Sequence, residues 1–176
     1  MDNSKKTKGN NESIKMTRRF PKLLNKVLIK DSEIVKKIVF AWDIEKNSNK
    51  VLSIYLKEHK NLSNERYWEI LRTVWIICGT VENSELFKNF MKSNRKEKYY
   101  FSTPEELKFL RELPNDIVVY RATNIKDVGL SWTLSKDYAD WYAKEFNKET
   151  VICKIIDKKQ IFAYIERNKE SEILIL

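Results

Sequence analysis

The chain has 176 residues and a formal net charge of +9, with 42% hydrophobic, 34% charged and 12% aromatic residues. That composition supports one globular core and argues against wholesale disorder. Three glycines exclude a glycine-rich phosphate loop, one histidine excludes a multi-histidine metal site, and two cysteines cannot build a cysteine-rich zinc site.

The excess charge sits at the start. Residues 1–30 hold nine Lys/Arg against two Asp/Glu, residues 31–100 thirteen against ten, and residues 101–176 twelve against thirteen. The first fifteen residues are polar and lysine-rich and are expected to form a disordered basic arm. Such an arm binds nucleic acid or an acidic partner, or keeps the chain soluble. The start lacks an apolar signal core, and no run of 18 apolar residues occurs. Neither a signal peptide nor a membrane span is expected.

Residues 16–176 are expected to form one α+β domain, helical over 16–112 and strand-rich over 113–176. Leu23, Leu24, Val27 and Leu28 recur at helical spacing, and Ile34, Ile38 and Trp42 follow at i, i+4, i+8. Leu52, Tyr55 and Leu56 mark a third helix. Tyr67, Ile70, Leu71, Val74, Trp75 and Cys78 mark a fourth that ends near Gly79. Leu86, Phe87, Phe90 and Met91 mark a fifth. Thr103-Pro104-Glu105-Glu106 is a helix start with a capping box, and that helix should stop before Pro114. His59, within Lys57-Glu58-His59-Lys60, reads as a solvated helix residue. Trp68 and Trp75 read as core.

The character changes after Pro114. Ile117-Val118-Val119-Tyr120, Leu130 to Thr133, Val151 to Ile156, Ile161 to Ile165 and Ile173 to Leu176 read as strands. Ser135 caps a helix with Tyr138, Ala139, Tyr142, Ala143 and Phe146 on one stripe. Cys78 and Cys153 lie in apolar runs and read as buried thiols of a reducing compartment.

Polar residues interrupt these strands at set positions. Arg121 ends the first. Ser131 and Thr133 flank Trp132 and share a face, as do Glu170 and Glu172 around Ser171. Two carboxylates on one strand face repel unless partnered, and functional sites use such pairs for acid/base work or to stabilise a cation.

In this order, Tyr120-Arg121, Ser131-Trp132-Thr133 and Glu170-Ser171-Glu172 resemble the Arg–Ser–Glu class of mono-ADP-ribosyltransferases. The resemblance covers residues 113–176 directly and the helical half by layout. It implies N-terminal helices packed on a mixed β core, NAD as substrate and no metal. It implies that Glu172 stabilises the oxocarbenium left by departing nicotinamide, and that Glu170 serves the acceptor, with arginine expected. Arg121 would grip NAD, Ser131 would orient Glu172, Thr133 would brace the strand, and Trp132 would pack in the core or shape the pocket. Tyr138, Trp141 and Tyr142 are further candidates to stack on nicotinamide.

The sequence departs from the family's Ser-Thr-Ser at Trp132 and Thr133, and it has a short stretch between Arg121 and Ser131. It ends four residues after Glu172. The expected activity is transfer of ADP-ribose to a host protein, by a bacterial or phage effector in the bacterial cytoplasm. NAD glycohydrolysis uses the same residues. A third reading is a non-catalytic protein that binds nucleic acid or an acidic surface through the basic arm.

Overall fold

The computed structural model describes residues 29–124, 129–167 and 170–176. The basic arm and the stripe from Leu23 to Leu28 lie outside the described residues. Helices come first: α1 Ile29–Asp43, α2 Ser48–Glu58, α3 Asn64–Cys78, α4 Ser84–Met91 and α5 Pro104–Glu112. Strand β1 (Asp116–Thr123), β2 (Ser131–Thr133), α6 (Lys136–Glu145), β3 (Thr150–Asp157), β4 (Ile161–Arg167) and β5 (Glu170–Ile175) follow. The chain is therefore a mixed α and β structure with its helices largely ahead of its strands. Among the described residues, no helix is long and apolar enough to cross a membrane.

The strands form one sheet in the order β3-β1-β2-β5-β4, and all four pairings are antiparallel. The mixed sheet expected from the sequence is thus corrected. No crossover helix carries the chain between parallel neighbours, and β4 and β5 form a direct hairpin.

The sheet carries a core on each face, although Val118 of β1 and Ile155 of β3 stay exposed. Ala163 pairs with Leu174, and Ile165 with Glu172, so these residues share a face. Ala163, Ile165 and Leu174 pack into the large core built from α1 to α4, around Ile38, Tyr55, Trp68, Leu71 and Phe87. On the other face, Tyr164 and Ile173 join Ile117, Val119 and Ile156 in a second core, against Phe109 and Leu110 of α5. Phe109 stacks on Tyr164 with ring centres 4.3 Å apart.

Local signals explain most helix ends. Ser63 and Asn47 cap α3 and α2 with their side chains. The Ser63 backbone N–H and hydroxyl donate in turn to Asp31 of α1, at 3.2 and 2.6 Å, which fastens α1 to the start of α3. The capping box at Thr103 and Glu106 is complete, and α5 stops at Leu113.

Glu106 does more than cap. Arg72 of α3 donates to both its oxygens, at 2.6 and 2.7 Å, and the Thr103 and Glu166 backbone N–H groups add bonds of 2.8 and 3.1 Å. This fork joins α3, α5 and β4, and Glu106 is only 4% exposed.

Two sequence expectations fail here. Cys78 is buried, but Cys153 is exposed, because β3 is an edge strand whose outer residues Ile152 and Ile155 are exposed as well. His59 is half-buried. It sits in a 3-10 turn, its Nδ1 is 3.0 Å from the Leu56 carbonyl, and its ring meets Phe90 edge-on at 5.1 Å.

Burial works to raise the Glu106 pKa, but the Arg72 bonds and charge and the two backbone donors outweigh it, and the carboxyl is held below its usual range. A depressed carboxyl stabilises the fold above the ordinary Glu range, and that contribution is lost as pH falls through the folded value. Glu106→Ala should cost about 3–5 kcal/mol in urea unfolding near neutral pH, because it strands a buried guanidinium. The loss should shrink in acid, where the wild-type pair also breaks.

Candidate functional site

Between the helix layer and α6 the sheet is left partly open. A cleft of about 180 Å³ lies there. Glu170 and Glu172 of β5, Ser131 of β2 and Arg121 of β1 line it from the sheet. Trp75 and Ser84 line it from the helix layer, and Tyr138 and Tyr142 from α6. Four of the residues singled out in the sequence therefore meet in one place, although they span residues 121 to 172.

The sheet order brings Ser131, Glu170 and Glu172 together, and the long side chain of Arg121 reaches the same cleft from β1. Strand β2 lies between β1 and β5. Tyr120 pairs with Thr133, and Thr133 pairs with Glu172. Alternation along each strand then brings Ser131 and Glu170 to the same face as Thr133 and Glu172.

Glu172 is 1% exposed. Its Oε1 accepts a 3.1 Å hydrogen bond from the Trp75 indole, and its Oε2 lies 3.7 Å from Arg167 Nη2. Burial pushes its carboxyl above the usual range. Arg167 pulls it down, Glu170 pushes it up, and the Ser131 hydroxyl and the Trp75 indole lower it, with burial prevailing. Glu170 accepts a 3.0 Å bond from Arg167 Nε. Burial, and then the neighbouring Glu170, push the Tyr138 hydroxyl up to about 12, so the phenol stays protonated.

Arg121 donates to the Ser131 carbonyl through Nη1, which ties β1 to the start of β2. Its guanidinium passes over Gly129, where any Cβ would overlap it. A larger residue there would force the guanidinium to shift. Thr133 is 5% exposed and shares the face of Glu172, but it does not line the larger cleft. Its hydroxyl accepts from the Ser135 N–H at 3.1 Å, and Ser135 caps α6 through the Tyr138 N–H at 3.1 Å. Thr133 therefore fixes the turn that brings Tyr138 to the carboxylates.

Trp132 does not line the cleft either. It pairs with Ile173 and packs on the second core, with Lys154 Nζ 4.1 Å above its ring. Trp132 and Thr133 line a smaller hollow of about 60 Å³ beside the cleft, together with Tyr120 and Ala122.

Comparison of the chain with protein-family models, with curated proteins and with solved structures found no match. The chemistry of the cleft is read from its own residues. Among the described residues, no cluster of His, Cys, Asp and Glu is arranged to hold a metal ion. The cleft offers a buried carboxylate, a second carboxylate nearer solvent, an arginine on each side of them, and aromatic walls.

Sequence reasoning missed Trp75 and Arg167. Trp75 follows the core stripe of α3 in every respect except its indole N–H, and its partner lies 97 positions on. Arg167 had a local signal: it precedes Glu170 by three residues across the β4–β5 hairpin and pairs with it in register. Trp141, a candidate stacking residue, is half-exposed on α6 and does not line the cleft.

A carboxyl whose pKa is raised on folding destabilises the fold once it ionises. That stability falls as pH rises from the ordinary Glu range through the folded value. Glu172→Gln removes the charge and should raise the melting temperature near pH 8 by a few degrees, at roughly 2–4 °C per kcal/mol for a chain of this size. The gain should fade near about pH 4, where both proteins carry a neutral side chain. Thermal melts of the two proteins across that range check it.

Proposed function

We propose that this chain transfers ADP-ribose from NAD to a protein side chain, with arginine the favoured acceptor, in the manner of the Arg–Ser–Glu mono-ADP-ribosyltransferases. One observation carries the reading. Arg121, Ser131 and Glu172 come from three neighbouring strands and line a single cleft, with Glu170 beside them.

Each residue type suits its part. Loss of nicotinamide leaves positive charge on the ribose, and a fixed carboxylate in a water-poor site stabilises that charge strongly. Glu172 is fixed by Trp75 and buried. Its raised pKa opposes ionisation, and the cationic nicotinamide ring of bound NAD shifts it back toward the carboxylate. Glu170 is nearer solvent and takes the acceptor's proton. Arg121 offers a planar set of donors to a phosphate or ribose edge. The cleft of about 180 Å³ takes the nicotinamide and its ribose. The rest of the dinucleotide extends past Arg121 toward the smaller hollow. Tyr138 and Tyr142 supply an aromatic wall for the nicotinamide ring.

The test is turnover of labelled NAD by purified full-length protein with a bacterial lysate. Label should appear on a discrete protein band. Glu172→Gln should cut nicotinamide release by about 10²–10³-fold, the scale of losing one well-placed charge-stabilising group. Free nicotinamide with no labelled band would favour glycohydrolysis. Neither signal from a folded sample would end the enzyme reading. Glu170→Gln should reduce transfer to arginine more than it reduces nicotinamide release. Equal losses in the two assays would remove Glu170 from the acceptor side.

A further inference from the structure

The position that serves an acceptor guanidinium is already filled by one of the chain's own. Arg167 Nε donates to Glu170 Oε2 at 3.0 Å, its Nη2 lies 3.7 Å from Glu172 Oε2, and its Nη1 donates to the Ile76 carbonyl at 3.3 Å. Its side chain is 36% exposed, so the group sits at the mouth of the cleft and not under it. The one guanidinium therefore bridges the two carboxylates to which transfer would assign the acceptor and the ribose.

We propose that Arg167 is itself an acceptor, and that the protein ADP-ribosylates its own chain at this residue. The inference rests on the transferase reading above. Its chemistry is balanced. The bond between the ribose C1′ and the nicotinamide nitrogen breaks, and nicotinamide leaves as a neutral base with the electron pair. A bond forms from C1′ to Nη2, the guanidinium nitrogen nearest Glu172. The Nε–H gives its proton to Glu170, which passes it to water, and one Nη2 proton shifts to Nε as the bond forms, so the substituted guanidinium keeps its single positive charge. The products are ADP-ribosylated Arg167, nicotinamide and one proton, with no change of oxidation state.

Position favours this acceptor over any other. A free guanidinium stays protonated at neutral pH and is a poor nucleophile, so it reacts only where a carboxylate takes its proton as the bond forms. Arg167 is already hydrogen-bonded to such a carboxylate, and an acceptor held in place outcompetes one that must diffuse in. The modification is self-limiting. A guanidine that carries ADP-ribose brings two phosphates to the cleft mouth, beside Glu170, and blocks the next NAD.

The test uses the purified full-length chain with NAD and no other protein. Intact mass should show one added ADP-ribose per chain. Peptide mapping should place it on Arg167, where trypsin then fails to cut. Its rate per molecule should not change over a tenfold range of protein concentration. Arg167→Lys, which keeps the cation, should carry no mark at that position.

Nicotinamide release with Arg167 unmodified overturns the inference while leaving the transferase reading standing. A mark confined to other arginines, or one whose rate rises with protein concentration, also overturns it. Failure to release nicotinamide, with or without lysate, overturns the transferase reading and this inference together.

Discussion

A carboxyl group set into a sheet face has to be covered and partnered, and one turn of helix α3 does both. Arg72 in that turn forks onto Glu106, which ties the helix to α5 and β4. Trp75, three residues on, donates to Glu172 on β5. The Ile76 carbonyl next to it receives Arg167. The helix layer is therefore registered against the sheet by polar bonds, while the surrounding core supplies non-directional cohesion. Asp31, at the other end of α3, holds α1 to the same helix. Disturbing the Arg72 fork would displace the indole that positions Glu172, so fold and site share their most constrained segment.

What could be read from the sequence was local. The Thr103–Glu106 box, the Ser135 cap and the stripe from Tyr67 to Cys78 depend on neighbours within a few residues. Strand positions followed from β-branched runs, and shared faces followed from alternation. Ser131, Glu170 and Glu172 led to the cleft by that alternation, whereas Arg121, beside Tyr120 on β1, comes to it through its long side chain, which runs past Gly129.

Long-range features were hidden. Nothing in the run from Ile117 to Tyr120 fixes which strand lies beside it, and the expected mixed sheet proved antiparallel throughout. Cys153 sits in an apolar run, yet the run forms an edge strand, and an edge leaves half its apolar side chains uncovered. His59 looked solvated among charged neighbours, but its environment comes from Tyr67 and Phe90, on helices later in the chain. Trp75 gave the right burial and the wrong significance, since burial alone does not tell where an indole N–H points.

Strand β3 has a consequence for how the protein behaves in concentrated solution. As an outer strand it presents unpaired backbone groups beside exposed Ile152 and Ile155, the arrangement through which sheets of separate molecules join. Lys154 stands between those two isoleucines, held over the Trp132 ring. Two copies that paired antiparallel about this residue would bring two ammonium groups face to face, which opposes the contact. One lysine thus guards the edge of the sheet, and its replacement by an apolar residue would remove the charge that opposes pairing there.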